Sequence, residues 1–223
     1  LSGPARSRMR RLSPGVDPAR FFPGCGGDEV RRRLDLPPDA PVVVCTARLV
    51  RRKGQDTLIR AWPAVLRAHA DARLLLVGDG PDRRRLERLV DRTGVRRSVL
   101  LTGGVPWEEV PAYTDAGDVF AMPCRTRRFG LEPEAWGIVS LEAQACGLPV
   151  LVGDSGGAPE TLTGGGPGQV VPGGPRAVAG ALVRMLGAQA GGDRSSRVGT
   201  SAWTWSGAST RLGRLLGQQV DEW

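Results

Sequence analysis

Short apolar runs of strand length alternate with segments of helical periodicity along most of the chain, and this alternation constrains the fold more than any other feature. The runs Val42–Thr46 and Arg73–Val77 are apolar along almost their whole length, which is typical of strands that are buried on both faces. Between them, residues 55–69 carry apolar side chains at the spacing of one helix face. The pattern predicts an α/β fold, a doubly wound parallel sheet of Rossmann-like type with helices on both sides.

The predicted elements extend from residue 28 to residue 220. The strands are predicted at 42–46, 73–77, 98–101, 119–122, 150–152 and 169–171. The helices are predicted at 28–36, 55–69, 82–93, 106–115, 137–146, 176–186 and 203–220. Residues 1–23, with several prolines, read as a connector, and residues 187–199 read as a polar, glycine-rich loop.

Composition limits the function classes. The net charge of +8 and the pI of about 10.7 fit nucleic acid, anionic lipid or phosphorylated ligands. Lys53 is the only lysine among the 31 basic residues. No apolar run approaches the roughly 20 residues of a membrane span, and the basic first residues lack the apolar core of a signal peptide. These features predict a soluble, cytoplasmic protein.

Cysteine and histidine usage does not favour a metal centre. The four cysteines have no CxxC spacing, and the chain has a single histidine, His69, at a predicted helix end. We therefore predict no zinc site and four reduced, mostly buried thiols.

A cluster of cations follows the first predicted strand. Parallel sheets bind ligands at the carboxyl ends of their strands, and Arg48, Arg51, Arg52 and Lys53 lie between this strand and the next helix. Backbone N–H groups at the start of a helix favour anions. The cluster is a candidate diphosphate site, and a solvated basic turn is the alternative.

Two glutamates flank the start of the helix predicted at 137–146. On a regular helix Glu134 and Glu142 would lie roughly 12 Å apart, too far for a retaining hydrolase pair, which needs about 5 Å. Their spacing suits two contacts on one elongated ligand, and the amides near Gly137, Ile138 and Val139 are candidates for holding a phosphate between them. For either glutamate alone, helix capping or a surface charge is the ordinary explanation.

Glycines follow two further strands. The loop at 155–161 contains Gly156 and Gly157, which permit a close backbone approach. We interpret the segment Gly78-Asp79-Gly80 as only a tight turn.

Taken in order, these segments resemble the C-terminal domain of a GT-B-fold, retaining glycosyltransferase of glycosyltransferase family 4. The resemblance extends from about Ser13 to the final helix. It is strongest toward actinobacterial GDP-mannose-dependent phosphatidylinositol mannosyltransferases. The matching segments are residues 47–49 with 53–54, 76–81, 134–143, 147–150 and 156–160, and the segments 51–56, 120–127 and 140–147 carry the mannosyltransferase likeness.

The resemblance implies a role for each candidate residue. Arg48, Lys53 and Glu134 are expected to be catalytic, the two cations at the departing diphosphate and Glu134 at the sugar. Glu142 is expected to hold the ribose hydroxyls. The remaining expected donor contacts are Arg52 at the diphosphate, Gly130 and Leu131 near the sugar, Gly137, Ile138 and Val139 at the phosphates, and Gly103, Val105, Met122 and Pro123 around the base.

The resemblance also implies a reaction and its partners. We expect transfer of a hexose, mannose from GDP-mannose, to a lipid or phosphoinositide acceptor with retention, without a cofactor or an obligatory metal. Residues 1–23 would then be an interdomain linker remnant, 24–200 the nucleotide-sugar-binding domain and 201–223 a helix crossing back to a missing N-terminal acceptor domain. The chain alone is expected to bind GDP-mannose weakly and to transfer nothing. Peripheral contact with anionic lipid at the inner face of the plasma membrane is a further expectation.

Three other readings stay open at the level of sequence. The first is a family member that uses a UDP- or ADP-sugar and another acceptor. The second is a basic nucleic-acid-binding module, which the single tyrosine and the lack of an aromatic-plus-basic sheet motif oppose; we expect no nucleic-acid partner. The third is a non-catalytic nucleotide-binding or scaffolding fragment, since fold does not fix function.

Overall fold

Six parallel strands form one sheet in the order β3-β2-β1-β4-β5-β6. They are β1 Val42–Thr46, β2 Arg73–Val77, β3 Val99–Gly103, β4 Val119–Met122, β5 Val150–Gly153 and β6 Gly168–Val171. The structure is a computed structural model that describes residues 12–162, 167–189, 197, 199 and 204–216. The four strands β1, β2, β4 and β5 are almost entirely buried, as their continuous apolar character predicts.

Two groups of helices cover the sheet. The helices are α1 Gly27–Arg33, α2 Gln55–Ala68, α3 Arg83–Thr93, α4 Val110–Asp115, α5 Ile138–Ala145, α6 Pro175–Gln189 and α7 Trp205–Leu215, with 3₁₀ turns at Arg51–Lys53, Trp107–Glu109 and Ala158–Leu162. Helix α2 packs against α3 and α6, whereas α4 packs against α1 and α5. Because crossovers between parallel strands are right-handed and the chain winds in opposite directions from β1 and from β4, the two groups are expected on opposite faces of the sheet. The predicted doubly wound α/β fold is therefore confirmed.

The element bounds differ from the prediction in a few places. The segment predicted as one helix at 106–115 is a 3₁₀ turn followed by α4. Helix α6 continues to Gln189, so Gly187 lies in the helix rather than in the predicted loop, because the apolar face with Leu182 and Leu186 stays buried to its last turns. Residues 190–196, 198, 203 and 217–220 of the predicted loop and final helix lie outside the described residues.

The adjacent strands β1 and β4 form a topological switch point. Their register pairs Val43 with Val119 and Val44 with Phe120. From β1 the chain proceeds to β2 on one side, and from β4 it proceeds to β5 on the other. The loops that follow β1 and β4 therefore meet at the crevice where doubly wound sheets bind ligands.

The segment that enters the domain crosses the start of α7. Val16 forms a parallel bridge with Thr204, and a Cβ on Gly15 would lie 2.2 Å from the backbone nitrogen of Trp205. This crossing brings Trp205 to the edge of the same crevice. Within the described residues, none of the helices has the length and apolarity required to cross a bilayer.

The end of β5 leaves no room for a side chain. A Cβ at Gly153 would lie 1.8 Å from the carbonyl oxygen of Cys124 and 2.7 Å from two further backbone atoms of that residue. We expect Gly153→Ala to lower the free energy of unfolding by at least about 2 kcal/mol, because backbone must move to admit the methyl group. Urea denaturation checks this value.

Gly187→Ala is the matched control, because no atom of the described residues lies within 4 Å of a Cβ there. In a helix this change is expected to be neutral or stabilising by about 0.5–1 kcal/mol. Equal denaturation midpoints for the two variants would contradict the packing argument.

Candidate functional site

A mostly buried ion pair joins the loops after β1 and β4. Lys53 ends the 3₁₀ turn after β1, and its Nζ lies 2.9 Å from both carboxylate oxygens of Glu134 in the loop after β4. The side chains are 13% and 6% exposed. Because such a pair must offset a large desolvation cost, it adds little net stability. The two charges thus contribute more to the chemistry of this crevice than to its folding.

A glycine allows the two loops to touch. Gly54 has φ +81° and is the N-cap residue directly before α2. A Cβ there would lie 2.1 Å from the carbonyl oxygen of Pro123. Only a residue without a side chain permits this approach at that backbone conformation. The close contact sets the distance between Lys53 and Glu134.

Arg125 fastens the same two loops from behind. Its backbone N–H donates to the carbonyl of Arg52 at 2.8 Å. Its guanidinium donates to Thr57 Oγ1 at 2.9 Å and to Asp56 Oδ2 at 3.0 Å. Burial acts to raise the pKa of Asp56, but the hydrogen bonds and charges of Arg125 and its arginine neighbours hold that pKa below its ordinary value. Asp56 stays ionised and anchors the loop after β4 to the first turn of α2.

Arg52 brings a second cation to the pair. Its Nε lies 3.9 Å from Glu134 Oε2, and among the described residues this nitrogen has no hydrogen-bond partner. The side chain is partly exposed. The Nε is buried, so any contact of Arg52 with an anion would come from the exposed end of the guanidinium.

A cleft of about 640 Å³ lies at the carboxyl ends of β1, β2 and β3 and the start of α5. This volume is within the range of about 300–1,000 Å³ typical of small-ligand sites. The cleft is lined by Thr46, Ala47, Arg48, Val77, Gly78, Asp79, Gly104, Val105, Trp107, Val110, Ile138, Val139 and Glu142, together with Gly15, Val16, Asp17, Arg20, Phe21 and Trp205. Arg48 and Glu142 thus share one cavity. Lys53, Arg52 and Glu134 are not among its lining residues, but the Glu134 side chain lies near Gly137 at the start of α5, where an added Cβ would be 3.9 Å from Glu134 Cγ.

The amino end of α5 faces this cleft. Gly137 precedes the helix with φ +83°, and no side chain caps it. The first N–H groups of a helix lack intrahelical acceptors, and the helix dipole makes this end attractive to anions. Ile138 and Val139, which begin the helix, line the cleft.

Glu142 is a buried carboxylate in the wall of the cleft. It is 4% exposed, and its Oε2 has no hydrogen-bond partner among the described residues. Burial raises its pKa to about 7, against a smaller opposing effect from the charge of Arg20. An acceptor in this state suits a ligand that brings hydroxyl donors.

The other predicted donor contacts are distributed around these features. Val105 lines the cleft, and Gly103 ends β3 with φ +84°. Met122 is fully buried beneath Gly137, and Pro123 packs on Gly54. The last two, Gly130 and Leu131, lie in an exposed loop.

The two glutamates do not share a helix. Glu134 precedes α5 by four residues and is held by backbone hydrogen bonds with Ser155 Oγ and Gly157 N–H. Glu142 lies within α5. The helical spacing considered for the two residues therefore does not apply, because the chain is irregular from Glu134 to Gly137.

Sequence reasoning missed several residues that line the cleft. Gly78 and Asp79 form more than a tight turn, since a Cβ at Gly78 would lie 2.3 Å from the carbonyl oxygen of Ala47 and Asp79 O accepts from Leu49 N–H at 2.9 Å. They hold the loop that carries Arg48. A pair of glycines directly after a buried strand is the signal that identifies such a close approach.

Arg20 and Trp107 form one side of the cleft, and no local sequence pattern predicts their contact. The guanidinium lies 4.7 Å from the centre of the Trp107 ring and donates to the Trp107 carbonyl at 3.1 Å. The residues are 87 positions apart. Only the tertiary structure brings them together.

All four cysteines are free thiols. Burial raises the pKa of the Cys45 thiol to about 12, and Cys25 Sγ lies 4.0 Å from Cys146 Sγ. Among the described residues, no three His, Cys, Asp or Glu side chains lie close enough together to hold a metal ion.

The fold and the site define a Rossmann-like α/β domain of the GT-B type with a ligand cleft at its switch point. The family model of glycosyl transferases group 1 matches residues 27–199. The chain therefore belongs to the group 1 glycosyltransferases.

One curated relative and two solved structures illustrate the likeness. A GDP-mannose-dependent alpha-(1-6)-phosphatidylinositol monomannoside mannosyltransferase from Mycolicibacterium smegmatis is 46% identical over 220 residues, 96% of this chain and 57% of that protein. Sucrose-phosphate synthase from Thermosynechococcus elongatus superposes with a TM-score of 0.73 at 31% identity, over 93% of this chain and 52% of that one.

The C-terminal domain of a group 1 glycosyltransferase, LpcC, from Francisella tularensis shares the fold. Its TM-score is 0.64 at 21% identity, over 89% of this chain and 98% of that domain. The chain thus spans little more than half of the curated relative and almost all of a C-terminal domain.

The raised pKa of Glu142 predicts a pH-dependent stability. A carboxyl group whose pKa rises from 4.5 unfolded to about 7 folded favours the fold most below pH 4.5, and this contribution is lost as the pH rises through 7. We expect the unfolding free energy of the ligand-free chain to fall by about 3 kcal/mol across this window from this group. Glu142→Gln should remove that loss.

Denaturant unfolding measured between about pH 5 and pH 8 tests the expectation. Glu108→Gln, a change at an exposed carboxylate, is the control and should leave the pH dependence of the parent unchanged. Parallel pH curves for Glu142→Gln and the parent would refute the assignment.

Proposed function

We propose that this chain is the donor-binding part of a hexosyltransferase that transfers mannose from GDP-mannose to a lipid or phosphoinositide acceptor with retention of configuration. The carrying observation is the Lys53–Glu134 pair at 2.9 Å beside a cleft that holds Arg48 and Glu142. Family membership and the activity for which the Mycolicibacterium relative is named support the same reaction. The domain division at residues 1–23, 24–200 and 201–223 is part of this proposal.

The diphosphate is assigned to the cations after β1 and to the amino end of α5. Arg48 offers a planar fork and Lys53 a point charge, while Arg52 brings a partly exposed guanidinium beside them. The amides of Gly137, Ile138 and Val139 complete the anion site. These groups would stabilise the negative charge that develops on the departing phosphate oxygen. Protein cations supply this charge, so the proposal includes no obligatory metal.

The nucleoside is assigned to the cleft. Glu142 accepts hydrogen bonds from the ribose hydroxyls, which supply the donors that its Oε2 lacks among the described residues. Bound ribose favours the ionised carboxylate, so ligand binding lowers the pKa of Glu142. Gly103 and Val105, with Met122 and Pro123 behind the crevice, are assigned to the surroundings of the base.

The sugar is assigned to the open side of the ion pair. Glu134 accepts from a sugar hydroxyl while Lys53 turns toward the phosphate, so one pair serves two neighbouring parts of the donor. Gly130 and Leu131 belong to the loop that leads to Glu134. Acceptor binding is assigned to a domain outside this sequence, in keeping with the greater length of the curated relatives.

Replacing the lysine tests the proposal directly. Lys53→Met removes a charge-assisted contact with the diphosphate, and such contacts contribute about 1.5–3 kcal/mol. We expect GDP-mannose to bind the variant about 10- to 100-fold more weakly than it binds the parent chain. Titration calorimetry measures both affinities.

Arg92→Met is the charge-matched control. Arg92 lies in the last turn of α3, away from the strand carboxyl ends, and its loss should leave affinity within about twofold of the parent. Urea denaturation shows whether Lys53→Met remains folded. Parent-like affinity in a folded Lys53→Met chain, or no GDP-mannose binding by the parent, would overturn the proposal.

Nucleotide competition tests the identity of the base. If the chain serves GDP-mannose, GDP should displace bound GDP-mannose at a concentration about tenfold or more below that required for UDP or ADP, a difference of about 1.4 kcal/mol. Competition calorimetry at fixed ionic strength gives the three constants. Preference for UDP or ADP would leave membership of the group 1 glycosyltransferases unchanged, but it would refute GDP-mannose as the donor.

A further inference from the structure

The loop between β4 and α5 closes on a single buried hydroxyl. Thr126 Oγ1 lies 2.9 Å from Ser155 Oγ, and the backbone N–H of Glu134 donates to the same Ser155 Oγ at 3.1 Å. Both ends of the segment 126–134, which we call the tip loop, are therefore fixed beside the Lys53–Glu134 pair.

The tip loop has a defined shape. Arg127 and Glu132 form a two-way backbone bridge, with N–H to carbonyl distances of 3.2 and 3.1 Å. At its turn, Arg128 and Phe129 have φ of +51° and +54°, a left-handed conformation that costs free energy for residues with a side chain. The bridge thus holds two unfavourable backbone conformations.

This conformation projects apolar side chains into solvent. Phe129 is 108% exposed and Leu131 is 82% exposed, whereas the other exposed large hydrophobic residues among those described reach at most 66%. Burial of Phe129 within the domain therefore does not offset the free-energy cost of this backbone conformation. These two side chains are thus the most exposed large apolar groups that the structure describes, and they lie two positions apart in one loop.

The flanking charges are predominantly positive. Arg127 Nη1 lies 3.4 Å from Glu132 Oε2, and Arg128 Nε lies 3.2 Å from Glu132 Oε1. Two guanidinium groups share one carboxylate. The cluster therefore carries a net positive charge next to the two apolar side chains. The partly exposed Arg52 at the base of the loop adds another.

We propose that the tip loop docks the protein on an anionic lipid bilayer, with Phe129 and Leu131 inserted at the headgroup boundary and Arg127 and Arg128 against lipid phosphates. Exposed apolar side chains next to arginines in the same loop fit such an interface. A stable protein partner requires a continuous patch of roughly 800 Å² per side, whereas two side chains on a narrow turn offer much less. The choice of a lipid surface rests on the proposed lipid acceptor.

Docking at this loop would place the membrane beside the reacting end of the donor. Leu131 and Glu134 are three residues apart, which is at most about 11 Å along the chain. A headgroup in contact with the tip is thus within reach of the sugar assigned to Glu134. The tip loop links donor chemistry to a lipid-borne acceptor.

Vesicle sedimentation with the whole chain tests the proposal. The probes are phosphatidylcholine vesicles with and without phosphatidylglycerol, at low and high salt. We expect binding to the vesicles containing phosphatidylglycerol, weakened by salt as Arg–phosphate attraction is screened. The double change Phe129→Ser with Leu131→Ser should weaken binding at least about tenfold. Arg127→Gln with Arg128→Gln should remove most of the preference for phosphatidylglycerol.

The control is Leu215→Ser with Leu216→Ser, which removes two exposed leucines from the end of α7 and should bind vesicles as the parent does. Vesicle binding that is lost in this control but kept in the tip variant would overturn the proposal, as would absence of binding by the parent. Self-association of the parent that the tip variant abolishes, without vesicle binding, would identify a protein contact instead.

GDP-mannose calorimetry separates this inference from the proposed function. Because Leu131 is assigned to the sugar, this comparison uses Phe129→Ser alone. A Phe129→Ser variant that has lost most of its vesicle binding but retains parent-like GDP-mannose affinity supports the docking role. A parent chain that binds vesicles through the tip but does not bind GDP-mannose would leave the docking surface intact and overturn the donor assignment. Vesicle binding that the tip changes do not alter would exclude the tip as the docking element.

Discussion

The direct contact between the loops after β1 and β4 is the constraint on which the rest of the site depends. It exists because Gly54 has no side chain and lies against the carbonyl of Pro123, and because Arg125 fastens the loop after β4 to Asp56. The sheet alone brings the two loops to one edge, within several ångströms. The glycine and the arginine reduce that distance to hydrogen-bonding range, and Lys53 and Glu134 then form their pair.

Around this contact the free domain holds polar groups that its own fold does not satisfy. The Nε of Arg52 and Oε2 of Glu142 lack hydrogen-bond partners in the described part of the chain, and Glu142 is buried at the cost of a raised pKa. Buried polar groups normally find partners, and the proposed function accounts for these two groups by a ligand. In the proposed function, a nucleotide sugar supplies phosphate oxygens to the cations and hydroxyls to the carboxylate. The tip loop beside the site likewise exposes apolar groups that the domain does not bury, and the proposed lipid surface would cover them.

Much of the fold was predictable, but the site was predictable only in part. The apolar runs of β1, β2 and β4 predicted their bounds to the residue, because strands buried on both faces leave a strong local signal. Arg48, Lys53, Glu134 and Glu142 were predicted from their places at strand and helix ends. Arg20 and Trp107 were not, because a contact between residues 87 positions apart has no local pattern. The prediction of Gly78-Asp79-Gly80 as only a turn was incomplete, because the role of these glycines depends on the neighbouring loop.

By itself, the sequence determined the class of sheet, the order of its elements and the residue types available at each strand end, since hydrophobic periodicity and glycine placement act over short distances. Tertiary structure decided which of those residues meet. It joined Lys53 with Glu134, placed Arg48 in one cavity with Glu142, and exposed Phe129 to solvent. In the part of the chain that the structure describes, it left Oε2 of Glu142 without a hydrogen-bond partner. The physical reason is that hydrogen bonds, desolvation and exposure depend on distances of a few ångströms, and those distances are set only when strands and helices from distant parts of the chain pack together.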